Sequence, residues 1–396
     1  MGGALSWPFM RLYILTLLYF SANAILNVII PLKGESLGAS NSMIGLIMGA
    51  YLFTTMIFRP WAGNWIRKHG PIRVLRIILV VNGAALVLYT LTGLEGYLAA
   101  RMLQGVCTAF FSMALQLGII DALPDKERSQ GISLYSLCAT LPGMIGPLLA
   151  IGMWEAGDKA VFPSAMIAIA ILTGVVGYSA RVKPNAAEQE SGRSARDQGA
   201  TMLQSFGQLY RNRQLLKCSV LMLVASVVFG AVTTFMPLYA SQIAGGNAAL
   251  YLMLQAGTVV IARFALRKRI PSDGRWHSAF VMALMLQVAV AALSVSYSAT
   301  GGASFLYAGA ALMGLAQALI YPALTTYLTF VLPPINRNVL IGLFIAMADL
   351  GVSLGGFLMG PIADVFSYAF MYMICAGLGA SMIAVAYERR KQVGSS

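Results

Sequence analysis

The sequence predicts an all-α membrane protein with twelve transmembrane helices in two six-helix halves. Three observations carry that prediction. Of 396 residues, 58% are hydrophobic and only 10% are charged, with a mean hydropathy of +0.75, whereas a soluble domain carries about 25% charge. Twelve apolar runs are long enough to cross a bilayer, which takes about 20 residues of helix. An internal repeat relates the two halves: Gly105 and Gly314 stand 209 positions apart, as do Pro124 and Pro333, Arg128 and Arg337, and Gly146 and Gly355. Arg59 and Gly70 match Arg263 and Gly274 at an offset of 204, a difference that one loop of altered length explains. Two repeated six-span halves describe a transporter that binds its solute between them near the midplane.

The spans run over residues 10–31, 43–66, 72–92, 97–120, 130–153, 161–180, 216–240, 248–267, 277–298, 303–331, 338–362 and 366–387. In the first, the small-residue string Ser21-Ala22-Asn23-Ala24 resembles a leader cleavage site, but the apolar run continues through Ile30, so a membrane helix is expected. A basic loop, residues 59–70, joins the second and third spans. The fourth keeps Arg101 near its start, at a cost of about 2.5–3.5 kcal/mol on insertion scales. A charged turn (Asp125, Lys126, Glu127, Arg128) leads into the fifth, which carries Gly143, Gly146 and Pro147. The polar segment 181–217 reads as a cytoplasmic linker between an N-terminal half, 1–180, and a C-terminal half, 218–396. Asp349 lies midway along the eleventh span.

Lysine and arginine placement fixes the expected orientation. With the N-terminus inside, the exterior loops hold only Lys33 and Lys159, while Arg67, Lys68, Arg73, Arg76, Lys126, Arg128, the linker cluster, Arg267, Lys268, Arg269, Arg275, Arg337 and the tail Arg389, Arg390, Lys391 fall on the interior side. A multi-pass protein of the plasma (inner) membrane with both termini cytoplasmic follows. The net charge of +13 thus obeys topology, and its dispersal argues against nucleic acid as a partner. Cys107, Cys138, Cys218 and Cys375 all sit in apolar spans without disulfide or metal spacing. His69 and His277 both fall at cytoplasmic loops, and no nucleophile elbow or phosphate loop occurs, so neither an enzyme nor a bound cofactor or metal is expected.

Proton coupling requires a titratable group buried along the route. Of the fourteen acids, Glu35, Glu95, Glu155, Asp158 and Asp364 lie at or beyond the exterior boundary, and Asp125, Glu127, Glu188, Glu190, Asp197, Asp273 and Glu388 are cytoplasmic. Asp349 and Asp121 remain. Asp349 is the expected coupling carboxyl, the alternative being a structural partner to a serine or amide. Asp121, at the inner end of span 4, fits a loop-locking cap as well as a proton relay. Asn23 and Asn27 stand one helical turn apart on one face. With Tyr51, Asn82, Gln116, Gln255, Gln287, Gln317 and Arg101 they outline a cavity for a polar, carboxylate-bearing solute, although each amide alone serves equally as an interhelical hydrogen bond. Arg101, for its part, either works in that cavity or snorkels outward.

These motifs resemble the major facilitator superfamily along the whole chain. The stretch Arg59-Pro60-Trp61-Ala62-Gly63-Asn64-Trp65-Ile66-Arg67-Lys68-His69-Gly70 is similar to the family's loop between spans 2 and 3, with Gly63, Lys68 and Gly70 in place and Arg67 where the family has an aspartate. Arg101-x-x-Gln104-Gly105 resembles the motif linked to proton transfer. Gly143-x-x-Gly146-Pro147 resembles the pattern of proton-exchanging exporters, with Leu149 and Ala150 replacing its trailing glycines. Spans 1 and 4 are similar in phrasing to exporters of opine-type metallophores, the staphylopine group. The resemblance implies a monomeric, proton-coupled exporter of a small polar solute. A proton symporter that imports, or a multidrug pump, shares the architecture; span 1 lacks the acid with which many drug exporters meet cations.

Overall fold

The computed structural model describes residues 5–123, 125–158, 160–179, 212–266, 269–333 and 337–388. Thirteen helices occupy them: α1 (Trp7–Ser36), α2 (Asn41–His69), α3 (Pro71–Leu91), α4 (Leu94–Ala122), α5 (Asp125–Thr140), α6 (Pro142–Glu155), α7 (Val161–Ser179), α8 (Arg213–Ser241), α9 (Ala248–Ala265), α10 (Ser278–Gly301), α11 (Ala303–Val331), α12 (Arg337–Val365) and α13 (Tyr368–Ala386). They supply 12 candidate membrane spans. The fifth is built from two helices that meet at Leu141: this residue keeps helical angles and its N–H bonds the Leu137 carbonyl, but Pro142 has no N–H to continue the ladder. Starts are set by side-chain oxygens that accept otherwise orphaned backbone N–H groups: Ser40 from Met43, Asn212 from Gln214 and Leu215, Asn247 from Leu250 and Ser367 from Phe370.

Two sequence expectations need correction. The basic stretch 59–70 is not a loop: α2 continues to His69, and only Gly70, at φ 83°, turns the chain into α3. Pro60 and Gly63 read as punctuation, but a helix entering a bilayer must satisfy its backbone internally and so persists through both. The expected linker is also shorter at its far end, since Asn212 caps α8 and residues 213–217 are helical. Residues 180–211 lie outside the described ones.

Within the first seven helices, α2 packs on α4, α3 on α4 and α7, and α1 on α6 and α7; within the last six, α8 packs on α12, α10 on α11 and α13, and α9 on α11. The repeat seen in the sequence recurs in these crossings. Gly105 of α4 lies against the Tyr51 carbonyl of α2, and Gly314 of α11 against the Gln255 carbonyl of α9, leaving no room for a side chain at either. Tyr51 and Gln255 are themselves 204 positions apart.

The two groups meet through α2 with α12, α6 with α9, and α1 with α8. The α2–α12 seam is backbone on backbone: Gly45 abuts the Gly356 carbonyl, and Ser353 donates its hydroxyl to the Gly49 carbonyl at 2.8 Å. At the end of that seam the Asp364 carboxylate accepts the backbone N–H of Asn41 (2.7 Å) and of Ser42 (2.9 Å) as well as the Ser42 hydroxyl, and Tyr368 donates to Asn41 Oδ1 at 2.6 Å. These contacts hold the two groups against each other at this end.

Candidate solute-binding and coupling site

Arg101 sits two turns inside α4 with none of its surface exposed. It does not snorkel. Its Nη1 donates to Asn23 Oδ1 at 2.7 Å and its Nη2 to Asn27 Oδ1 at 2.8 Å, so the one-turn spacing on α1 matches the two prongs of the guanidinium. Gln104 Oε1 lies 3.4 Å from Nη1, and the Tyr51 ring lies 5.2 Å from the guanidinium carbon. Around this centre Tyr89 donates to Gln104 at 3.1 Å, and Thr108 joins the hydroxyls of Tyr19 and Tyr51, each at 2.9 Å. The Nε of Arg101 and the amide nitrogen of Gln104 are buried without a hydrogen-bond partner. No carboxylate among the described residues pairs with Arg101. Neutral amides and a ring face satisfy geometry but leave a full positive charge in a low-dielectric interior, which is costly unless an anion completes the set.

Asp349 has the opposite surroundings. Its Oδ2 accepts a 2.7 Å charged hydrogen bond from Arg59 Nε, with the side chains 13% and 23% exposed. The pair joins α12 to α2, beside the seam just described. Arg59 follows Tyr51 by eight residues, about 12 Å along α2 by helical rise. Tyr51 lies within electrostatic reach of Arg101, Arg59 and Asp349, and Tyr321 of α11 within reach of Arg59, Asp349 and Arg263. α2 therefore links a bare cation to a neutralised carboxylate.

The remaining expected site residues are dispersed. Gln255 donates to Gln317 Oε1 at 3.1 Å between α9 and α11, its own Oε1 buried and unpartnered. Gln116 is exposed and hydrogen-bonds Tyr135, about 22 Å along α4 from Arg101 by helical rise; the structure does not bring it to the guanidinium. The Asp121 side chain lies outside the described ones, as does that of Arg67. Lys68 is exposed in the last turn of α2, and Gly63 has no atom within 4 Å of a Cβ position. A Cβ on Gly146 would come 2.5 Å from that of Ala24, so this glycine and buried Pro147 seat α6 on α1, whereas Gly143 faces open space. Sequence reasoning missed Tyr19, Tyr89 and Thr108, because isolated hydroxyls in apolar spans carry no local signal. It also missed the pairing of Arg59 with Asp349.

Comparison with known proteins adds to this geometry. Residues 12–303 match the Major Facilitator Superfamily. The chain belongs to that superfamily. Among superfamily members it is 52% identical over 392 residues, 98% of both chains, to the staphylopine export protein of Staphylococcus aureus. It is 24% identical to an uncharacterised transporter of this type from Burkholderia mallei, covering 91% of this chain and 87% of that one. Among solved structures, a mutant of the nucleoside transporter NupG superposes with a TM-score of 0.80 at 12% identity over 95% of this chain and 98% of that one. A bacterial homologue of the lysosomal transporter Spinster, inward-facing and unoccupied, superposes at 0.72 with 14% identity over 96% and 93%. These two share the superfamily fold.

Proposed function

We propose that the protein exports a small polar, carboxylate-bearing solute of the staphylopine type across the plasma membrane, in exchange for protons, by alternating access. The observation that carries this reading is the fully buried Arg101, held by Asn23 and Asn27 and lacking a paired carboxylate among the described residues. It is supported by 52% identity to a protein named for staphylopine export. A carboxylate entering beside Arg101 supplies the missing charge and meets a fork already oriented for it. Drug cations find no equivalent partner in this half.

In this reading the halves are 1–180 and 218–396, both termini are cytoplasmic, and the end held together at Asp364 faces the exterior. The cavity then loads from the cytoplasm. Asp349, ionised, holds α12 to α2 through Arg59. Solute bound at Arg101 carries the chain to the exterior-open state, where the halves separate along the glycine seam and Asp349, freed from Arg59, takes up an exterior proton; the return to the cytoplasm-open state delivers that proton inside and restores the pair. Carboxylate binding at Arg101, about 12 Å away along α2, biases the same helix, which couples solute to proton.

The test uses everted membrane vesicles with an acid interior. Staphylopine added outside should collapse the pH gradient only when the protein is present. A gradient that persists at every solute concentration, while labelled staphylopine still accumulates, would contradict proton exchange; no accumulation would contradict the solute class.

A further inference from the structure

A groove on the outer face of α3 and α7 lies away from the transport site. It encloses about 400 Å³ between Val80 and Gly83 on one side and Gly174 and Val175 on the other, and is closed at one end by Arg76 and Tyr178. The groove exists because side chains are missing. Gly174 has nothing within 4 Å of a Cβ position, and Gly83 has only the Ala170 Cβ, at 4.0 Å. Val80, Val175 and Tyr178 are strongly exposed on spans whose surroundings are hydrocarbon.

The closed end is cationic. The Arg76 guanidinium stacks 4.7 Å from the Tyr178 ring and donates from Nη2 to the Tyr178 carbonyl at 3.3 Å, while its Nε is buried with no hydrogen-bond partner. Arg11 donates to the next carbonyl, Ser179, at 3.1 Å. Arg73 stands exposed one turn before Arg76. Among the described residues no carboxylate pairs with any of the three. Capping the last carbonyls of α7 accounts for the Nη contacts; it accounts neither for three unneutralised guanidiniums nor for the groove below them.

We propose that this is a binding site for one anionic phospholipid, its phosphate against Arg76 and Arg11 and one acyl chain along Gly83 and Gly174. The spacing fits. Arg76 to Gly83 spans about 10 Å of helix, within the roughly 15 Å depth of one leaflet's hydrocarbon. Guanidinium forks take phosphate oxygens in pairs, and an arginine at an anionic surface contributes about fivefold in affinity. A choline headgroup would bring its own cation against these arginines.

Native mass spectrometry of the full-length protein in detergent, titrated with dioleoylphosphatidylglycerol, dioleoylphosphatidylcholine or chain-free glycerophosphoglycerol, tests the site. The first should be retained most tightly, and Arg76→Gln and Gly174→Leu should each weaken its retention about fivefold or more. Arg76→Gln also removes a cap on α7, so Gly174→Leu, which points into open space, keeps the result independent of folding. Undiminished phosphatidylglycerol retention by Gly174→Leu would overturn the groove. Equal retention of phosphatidylcholine would overturn the charge selection, and equal competition by the chain-free headgroup would overturn the acyl subsite.

Discussion

In the proposed function solute recognition turns on Arg101, and its partners say how to test it. Lysine keeps the charge but cannot reach Asn23 and Asn27 together, so Arg101→Lys should lower solute affinity about tenfold or more, the loss of one charge-assisted hydrogen bond. Asn27→Asp should act in the opposite sense on the guanidinium: it supplies the missing carboxylate from within the chain and competes with the solute. Solute affinity, read by titration calorimetry on purified protein, should fall; unchanged affinity would mean that Arg101 does not face the solute's anion. Arg101 and its asparagine pair are legible in the sequence because a charge in an apolar span and an i, i+4 spacing are local signals. The partner of Asp349 is not, since Arg59 lies 290 positions away in a stretch whose proline and glycines read as a loop.

At the level of elements, α2 connects everything: Tyr51 meets Arg101, Arg59 meets Asp349, Gly45 and Gly49 pack on α12, and its N-terminus meets Asp364. A side chain at Gly45 would strike the Gly356 carbonyl. Gly45→Leu should therefore prevent closure of this end and trap the protein open there, seen as a longer spin-label distance between positions 38 and 366. Asp364→Ala should loosen the same end mildly, because a carboxylate at a helix N-terminus contributes about 1 kcal/mol, a roughly fivefold change in the closed population. The loop between α9 and α10 carries a smaller pH effect. Asp273 accepts hydrogen bonds from His277 Nε2 at 2.9 Å and from the Arg275 N–H at 3.1 Å, which hold its carboxyl below the usual value. A depressed carboxyl stabilises the fold above its unfolded pKa of about 3.9 and ceases to do so as pH falls below it. His277→Ala should remove that increment at neutral pH and change little below pH 3, as thermal unfolding across pH would record. Element positions were legible from apolar length alone. The interruption of the fifth span at Pro142 was not, because an apolar run hides a single missing N–H, nor was the extension of α2 from residue 66, where the expected span ends, to His69.

In the whole molecule, two sites of opposite character are joined through one helix and one seam. The repeat gave the pseudo-symmetry of the crossings, with Gly105 and Gly314 in equivalent contacts, yet the chemistry is asymmetric: the cation lies in the first half and the carboxylate in the second, and only tertiary packing shows that Arg59 ties them together. The most direct measurement is proton release by purified protein in weakly buffered detergent solution on adding staphylopine. In solution acid enough to protonate Asp349 in the solute-free protein, up to about one proton per protein should appear with the native chain as solute selects the state in which Asp349 is ionised and paired with Arg59, and none with Asp349→Asn or Arg101→Ala. Release that persists undiminished in Asp349→Asn would contradict the account.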